Sequence, residues 1–164
     1  MDAPLGTKVI IAHSAEIENV ELIAQAVAAS ELHISEAVVY TARKYRSLGE
    51  LYADSVSLPV RTFPVCWSAY GKHAVFMRNH DMVEYSDAAI VVWSGIPKKD
   101  EIRHLIRVCC HPAMHFNSSV DPKDRTIPCF VYHAQKQTGA FISPEYLYLL
   151  DQKSESPKKA RKKS

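Results

Sequence analysis

The chain has 164 residues, of which 47% are hydrophobic and 23% charged, and its formal net charge is +2. This length and composition fit one globular domain with an ordinary core, and they exclude a disordered or fibrous protein. No apolar run approaches the ~20 residues that span a bilayer. Because the first residues also lack the basic and apolar regions of a signal peptide, we expect a cytoplasmic protein with reduced thiols and no membrane partner.

Apolar runs alternate with segments of helical spacing along the chain. The runs predict five strands, at residues 8–12, 37–40, 60–63, 88–93 and 127–132. Helices are predicted over residues 17–27, with Ser14 as the N-cap, and over residues 47–56, 70–85 and 98–110. Strands that alternate with helices indicate an α/β fold with a mostly parallel sheet.

Two further segments have less regular patterns. Residues 111–126 form a polar, proline-containing connection, which is either an insertion or a binding loop. Residues 134–150 are rich in aromatic and leucine side chains, so we expect them to pack on the body or on a partner chain. Apolar stretches here and in the third helix favour a homodimer or a higher homo-oligomer.

The positive charge is concentrated at the end of the chain. The last 14 residues carry six basic and two acidic side chains, hence +4, which leaves −2 for residues 1–150. We therefore expect one folded domain over residues 1–150 and a disordered basic tail over residues 151–164. Weak nucleic-acid contact is expected only from the tail cations Lys158, Lys159, Arg161, Lys162 and Lys163.

Residues 63–95 contain the most specific pattern in the chain. A helical segment with Arg78-Asn79 and Met82 leads into an apolar strand that ends at Trp93-Ser94-Gly95. This pattern resembles the SLOG superfamily, which includes the YspA-like proteins and the LOG nucleotide hydrolases, and the resemblance extends over about residues 9–131. It implies a Rossmann-like three-layer sandwich with five strands in the order 3-2-1-4-5, in which the helix and the loop after the strand face a nucleotide or nucleotide sugar.

Candidate ligand contacts follow from the place where such sheets bind ligands, beyond the carboxyl ends of the strands at the point where the strand order reverses. Arg78 can hold a phosphate or carboxylate bidentately, and Asn79 offers both a donor and an acceptor. The alternative is structural, with Arg78 paired to Asp81, Glu84 or Asp87 and Asn79 capping a loop. The predicted ligand-binding residues are His13, Ser14, Thr41, Arg43, Tyr70, Lys72, Arg78, Asn79, Gly95 and Lys98.

The glycine-rich turns of the family are altered here. Where relatives carry Gly-Gly-Ala-Arg-Gly-Ala-Asp and Gly-x-Ser-x-Gly-Thr, this chain has Thr-Ala-Arg-Lys-Tyr-Arg at 41–46 and Gly-Ile-Pro-Lys-Lys-Asp at 95–100. Glycine lets the backbone approach phosphate closely, so its loss favours binding over turnover. We therefore predict non-catalytic sensing or sequestration of a nucleotide-derived molecule.

Two other functions are kept as alternatives. The first is a nucleotide N-glycosidase or phosphoribohydrolase, for which the resemblance implies Arg78 and Glu101 as the catalytic pair. The second is a protein or nucleic-acid interaction module with a decayed pocket. We expect no cofactor and no metal, since the histidines and cysteines lack zinc-site spacing; the residues considered are His104, Cys109, Cys110, His111 and His115.

Overall fold

The described residues have an α/β fold with a six-stranded, mostly parallel sheet. The computed structural model describes residues 7–40, 47–96, 100–110 and 126–142. The strands are β1 (Lys8–His13), β2 (Glu36–Tyr40), β3 (Val60–Phe63), β4 (Ala88–Trp93), β5 (Cys129–His133) and β6 (Thr138–Ile142). The helices are α1 (Val20–Ser30), α2 (Leu48–Ser55), α3 (Trp67–Tyr70), α4 (Ala74–Tyr85) and α5 (Glu101–Cys110), with a 3-10 turn at Gly71–His73 between α3 and α4.

The strand order is β3-β2-β1-β4-β5-β6, and the first five strands are parallel to their neighbours. The predicted order of the first five strands is therefore confirmed. The prediction of only five strands was wrong, because β6 pairs antiparallel with β5 at the edge of the sheet. Its first four residues are exposed, so it lacks the apolar run by which a buried strand is recognised.

Alternate residues of the strands point to opposite faces of the sheet, and helices cover both faces. On one face, Ile10 and Val91 pack with Met82 of α4 and Leu105 of α5. On the other face, Ile11 and Ile90 pack with residues of α1 and α2, including Ile23, Ala26 and Ala53. The central strands are thus buried on both sides, as their nearly continuous apolar sequences predict.

Three predicted helix starts need correction. The first helix begins at Val20, and the Asn19 side chain accepts a hydrogen bond from the Glu21 amide at 2.9 Å, so Asn19 and not Ser14 is the N-cap. The third helix is divided, because α3 is separate and α4 starts only at Ala74. The fourth predicted helix begins at Glu101, whereas positions 98 and 99 lie outside the described residues.

None of the described helices is both long and apolar enough to cross a membrane. The 111–125 stretch of the predicted connection, the predicted packing segment after Ile142 and the basic tail lie outside the described residues.

Candidate functional site

The strand order reverses between β1 and β4, and two serines join the carboxyl ends of these strands. The Ser14 amide donates to the Val92 carbonyl at 2.9 Å, and the Ser94 amide donates to the Ser14 hydroxyl at 3.0 Å. Both serines are buried. Ser14 was predicted to contact a ligand, and the structure shows that its oxygen already holds the turn after β4. These hydrogen bonds hold together the carboxyl ends of β1 and β4, the region in which open parallel sheets bind ligands.

Arg78 of α4 and Glu101 of α5 form an ion pair near this edge of the sheet. The Arg78 Nη2 donates to the Glu101 Oε1 at 2.6 Å, and it also lies 3.2 Å from the Asn79 Oδ1. Arg78 therefore forms this ion pair with Glu101. The sequence had suggested a different partner, namely Asp81, Glu84 or Asp87. The Arg78 Nε is buried without a hydrogen-bond partner among the described residues. A charged-group nitrogen in this state is rare in folded proteins.

Asn79 fixes the two helices relative to each other. Its Nδ2 donates to the Glu101 carbonyl at 3.0 Å and lies 3.1 Å from the His104 Nδ1. The amide therefore serves as the donor, and the neutral His104 ring accepts at Nδ1. Asn79 is almost fully buried, so its role is to hold the start of α5 against α4. The structural alternative placed Asn79 against a loop, whereas its Nδ2 contacts Glu101 and His104 of helix α5.

Tyr40, at the end of β2, is a site residue that the sequence did not reveal. Its ring lies beneath the Arg78 guanidinium, with 4.7 Å between the guanidinium carbon and the ring centroid. Its hydroxyl lies 3.3 Å from both the Nε2 and the carbonyl oxygen of His13, at the end of β1. The only signal in the sequence was its position as the last residue of a strand ending at the carboxyl edge.

The His13 imidazole is held in one tautomer. Its Nδ1 lies 2.9 Å from the Ser14 carbonyl and must donate, while its Nε2 accepts from the Leu48 amide at 3.3 Å. Burial lowers the pKa of His13, which agrees with a neutral ring. His13 thus connects β1, β2 and the start of α2 at one point of the carboxyl edge.

Burial also sets the pKa values of the neighbouring groups. It raises the pKa of the Tyr40 hydroxyl, which stays protonated and can donate. The pKa of His104 is lowered to about 4, mainly by burial and in addition by the charges of His80, Arg107 and Arg78. We name His13, Tyr40, Arg78, Asn79, Glu101 and His104 the Arg78 cluster. Its two described charged side chains are those of the Arg78–Glu101 pair, and its imidazoles and phenol are neutral near pH 7.

Gly95 terminates β4 in a conformation that requires glycine. Its φ is +92°, and an added Cβ would lie 2.6 Å from the His133 ring. That ring also contacts the edge of Trp93, with 5.3 Å between the ring centroids. The packing of His133 therefore supplies one reason for the glycine, apart from any contact with a ligand.

Two of the remaining predicted contacts, Tyr70 and Lys72, are not part of the Arg78 cluster. Tyr70 and Lys72 lie on α3 and the following turn, where both are exposed, Tyr70 to 45%. Thr41, Arg43 and Lys98 lie outside the described residues. Among the described residues, no group of three or more histidine, cysteine or acidic side chains is placed to hold a metal ion.

A shallow groove lies elsewhere on the protein, between β3 and α4. It has a volume of about 320 Å³ and is lined by Arg61, Phe63, Asp81, Glu84 and Tyr85. The Arg61 guanidinium lies 4.8 Å from the Tyr85 ring centroid and 5.6 Å from that of Phe63, so the aromatic wall of the groove is already covered. We therefore regard the Arg78 cluster, at the switch point of the sheet, as the stronger candidate site.

Comparisons with protein-family models, with curated proteins and with solved structures found no match to this chain.

Proposed function

We propose that this protein is a Rossmann-like three-layer domain similar to the SLOG superfamily, and that it binds a nucleotide-derived small molecule without turning it over. The observation that carries the proposal is the position of Arg78. A guanidinium that is 5% exposed is held at the carboxyl edge beside the switch point, over a tyrosine ring. Burying a cation is unfavourable unless it is paired with an anion, and a nearly buried arginine at the carboxyl edge of the sheet supports anion recognition there.

The chemistry of the cluster supports this ligand class. The guanidinium suits a phosphate or carboxylate, the Tyr40 hydroxyl and the His104 ring suit neutral polar groups, and the Glu101 carboxylate suits a sugar hydroxyl. The exposed rings of Trp67 and Tyr70, at 49% and 45%, follow β3 at the same edge and suit stacking on a base. Sensing or sequestration is favoured because the glycine-rich turns are altered.

One observation favours hydrolysis of an N-glycosidic bond as the second candidate function. The resemblance implies Arg78 and Glu101 as the catalytic pair, and the Arg78 Nη2 lies 2.6 Å from the Glu101 Oε1. An ordinary ion pair has the same geometry. The Glu101 carboxylate is hydrogen-bonded to the guanidinium, whereas a general base must accept a proton from a water molecule. An interaction module with a decayed pocket remains the third proposal. A homodimer and a cytoplasmic location also remain predictions, the first measurable by light scattering.

A thermal-shift screen tests the binding proposal. A panel of purine and pyrimidine nucleotides and nucleotide sugars should contain compounds that raise the Tm, because a ligand that binds only the native state stabilises it. Arg78→Lys should reduce the ligand-induced shift by the equivalent of about 1–3 kcal/mol. Arg61→Ala, which removes an exposed arginine in the β3–α4 groove, is the matched control and should leave the shift unchanged. A flat response over the whole panel contradicts the proposal.

Incubation with nucleoside monophosphates separates binding from turnover. We expect no free base above the buffer control. Base release by the wild-type protein that disappears in Glu101→Gln would establish the hydrolase instead.

A further inference from the structure

Glu101 is the member of the ion pair that faces solvent. The Arg78 side chain is 5% exposed, whereas the Glu101 side chain is 39% exposed. The Glu101 Oε1 lies 2.6 Å from the Arg78 Nη2, and the Tyr40 ring covers the guanidinium at 4.7 Å. A ligand oxyanion that approaches from solvent therefore meets a carboxylate first, and that carboxylate already occupies the oxyanion position on Arg78.

The Glu101 side chain can leave this position without unfolding α5. The backbone at Glu101 is held by Asn79, whose Nδ2 donates to the Glu101 carbonyl at 3.0 Å. The first turn is held separately, because the Asp100 Oδ1 accepts from the Arg103 amide at 3.0 Å. Since the helix start is anchored through these groups, rotation of the Glu101 side chain exposes Arg78 without breaking either anchor.

Arg78, in contrast, is fixed. Its guanidinium lies between the Tyr40 ring and the start of α5, and it is bonded to the Asn79 Oδ1 at 3.2 Å. Leaving this buried cation without a counter-ion would be strongly unfavourable, whereas exchanging one carboxylate for another oxyanion preserves the charge balance. The arrangement thus permits exchange of the anion and resists its simple removal.

We propose that the Glu101 carboxylate is an internal counter-ion that closes the Arg78 anion site, and that an oxyanion of the ligand displaces it. The oxyanion is a phosphate or a carboxylate, since both match the guanidinium fork. The assignment of that oxyanion to a nucleotide rests on the proposed function, whereas the exchange at Arg78 does not. Glu101 therefore lowers the affinity for anions and excludes those that bind Arg78 more weakly than it does.

Inorganic phosphate and acetate are the probes, with sodium chloride at equal ionic strength as the reference. Glu101→Gln should melt below the wild type in chloride, because Arg78 has lost its counter-ion. Phosphate should then raise the Tm of Glu101→Gln more than that of the wild type, with an apparent Kd about tenfold lower, the size expected when a partly exposed charged partner is removed. The two probes distinguish a phosphate site from a carboxylate site.

The double variant Arg78→Met/Glu101→Gln is the control. It should lose the extra response to both probes, because the cation is gone. Responses to phosphate and to acetate that are both equal in wild type and Glu101→Gln, or a response that persists in the double variant, overturn the proposal. Circular dichroism checks that each variant is folded.

Nucleotides then separate this inference from the proposed function. A nucleoside monophosphate from the panel should bind Glu101→Gln more tightly than the wild type, and the matching nucleoside should not. Phosphate could raise the Tm of Glu101→Gln more than that of the wild type while neither protein binds a nucleotide. That result would support the exchange at Arg78 and contradict the proposed function. Nucleotide binding that is equal or weaker in Glu101→Gln, together with no extra response of that variant to phosphate or acetate, would remove the exchange and leave the proposed function standing.

Discussion

Tyr40 makes two contacts that use different parts of one side chain. The hydroxyl lies 3.3 Å from the His13 Nε2, and the ring lies 4.7 Å below the Arg78 guanidinium. The first contact joins the ends of β1 and β2, and the second joins β2 to α4. Because the two contacts can be removed one at a time, Tyr40 allows their contributions to be measured separately.

Removing only the hydroxyl should have a modest effect. Tyr40→Phe is expected to lower the free energy of unfolding by about 0.5–1.5 kcal/mol, the range for one intramolecular hydrogen bond. Tyr40→Leu should lower it further by about 1–2 kcal/mol, since the stacking under the cation is lost as well. Urea unfolding measures both values. Equal effects of the two variants would show that the ring does not stabilise Arg78.

His104 should make the stability depend on pH. Its pKa falls from 6.5 to about 4 in the folded protein because it is buried, so between these values the unfolded chain binds a proton that the folded protein does not. The stability contribution of the neutral ring is therefore present above pH 6.5 and is lost as the pH falls toward 4. After allowance for partial exposure, the loss is about 1–2 kcal/mol.

The His104→Gln variant isolates this effect. His13 also has a lowered pKa and contributes in the same direction, so the wild type alone does not assign the loss. Urea unfolding at pH 7 and at pH 4.5 should show the wild type losing about 1–2 kcal/mol more than His104→Gln. An identical pH dependence in both proteins would rule out His104 as the titrating group.

The sequence identified only part of the Arg78 cluster. Arg78, Asn79 and His13 were singled out because they lie in recognisable motifs or at predicted strand ends. Tyr40 was missed because its role depends on the distant α4 being placed over the end of β2, which local patterns do not encode. The partner of Arg78 was found at Glu101 only through the family resemblance, since the two residues are 23 positions apart.

Helix α2 lies close to β1 at Gly49, where there is no room for a side chain. A Cβ at Gly49 would lie 2.8 Å from the Ile11 carbonyl oxygen and 3.0 Å from the Ile11 Cγ2. The close atom is backbone of a central strand, so neither it nor the helix can shift easily. Ordinary helix propensity, which favours alanine over glycine, is therefore overridden at this position.

Gly49→Ala should destabilise the protein. We expect a net loss of about 1–3 kcal/mol, as for overpacking in a core, despite the gain in helix propensity. Ser55→Ala, at the exposed end of the same helix, should change stability by no more than about 0.5 kcal/mol. Thermal and urea unfolding provide the measurement. A stabilising effect of Gly49→Ala would mean that α2 and β1 are further apart than described.

The sequence predicted the buried strands correctly and missed the exposed one. The runs of β1, β2 and β4 are apolar because both faces are covered, so their existence and order followed from the sequence. The edge strand β6 has no such pattern and was missed. The start of α1 was misplaced because Ser14 looks like a helix cap, whereas its hydroxyl accepts from Ser94, a residue 80 positions away.

Positive charge is concentrated at the end of the sequence. Residues 1–150 carry −2, and the 14 residues that follow carry +4. A small-molecule site at the carboxyl edge and a nucleic-acid contact would thus be supplied by different parts of the chain. The interaction-module alternative differs from the proposed function at this point, since it requires the folded body itself to bind a macromolecule.

Removal of the tail tests that distinction. Any nucleic-acid affinity should be weak, independent of sequence and due to Lys158, Lys159, Arg161, Lys162 and Lys163, because phosphate neutralisation releases counterions. With up to five cations engaged, the logarithm of the binding constant should fall with the logarithm of salt concentration with a slope of about −3 to −5. Fluorescence anisotropy with a labelled oligonucleotide at 50–200 mM salt, the range in which such affinities change steeply, measures this slope.

Two variants make the result specific to the charges of the tail. Deleting residues 151–164 should abolish binding, and replacing the five cations with glutamine should do the same while keeping the length of the chain. Both variants should have the same midpoint of urea unfolding as the wild type, and nucleotides should raise their Tm by the same amount. Equal oligonucleotide binding by the full-length and truncated proteins would place the contact within residues 1–150. The net charge of −2 on those residues makes a purely electrostatic site unfavourable. Such a result would therefore support the interaction module over the small-molecule binder.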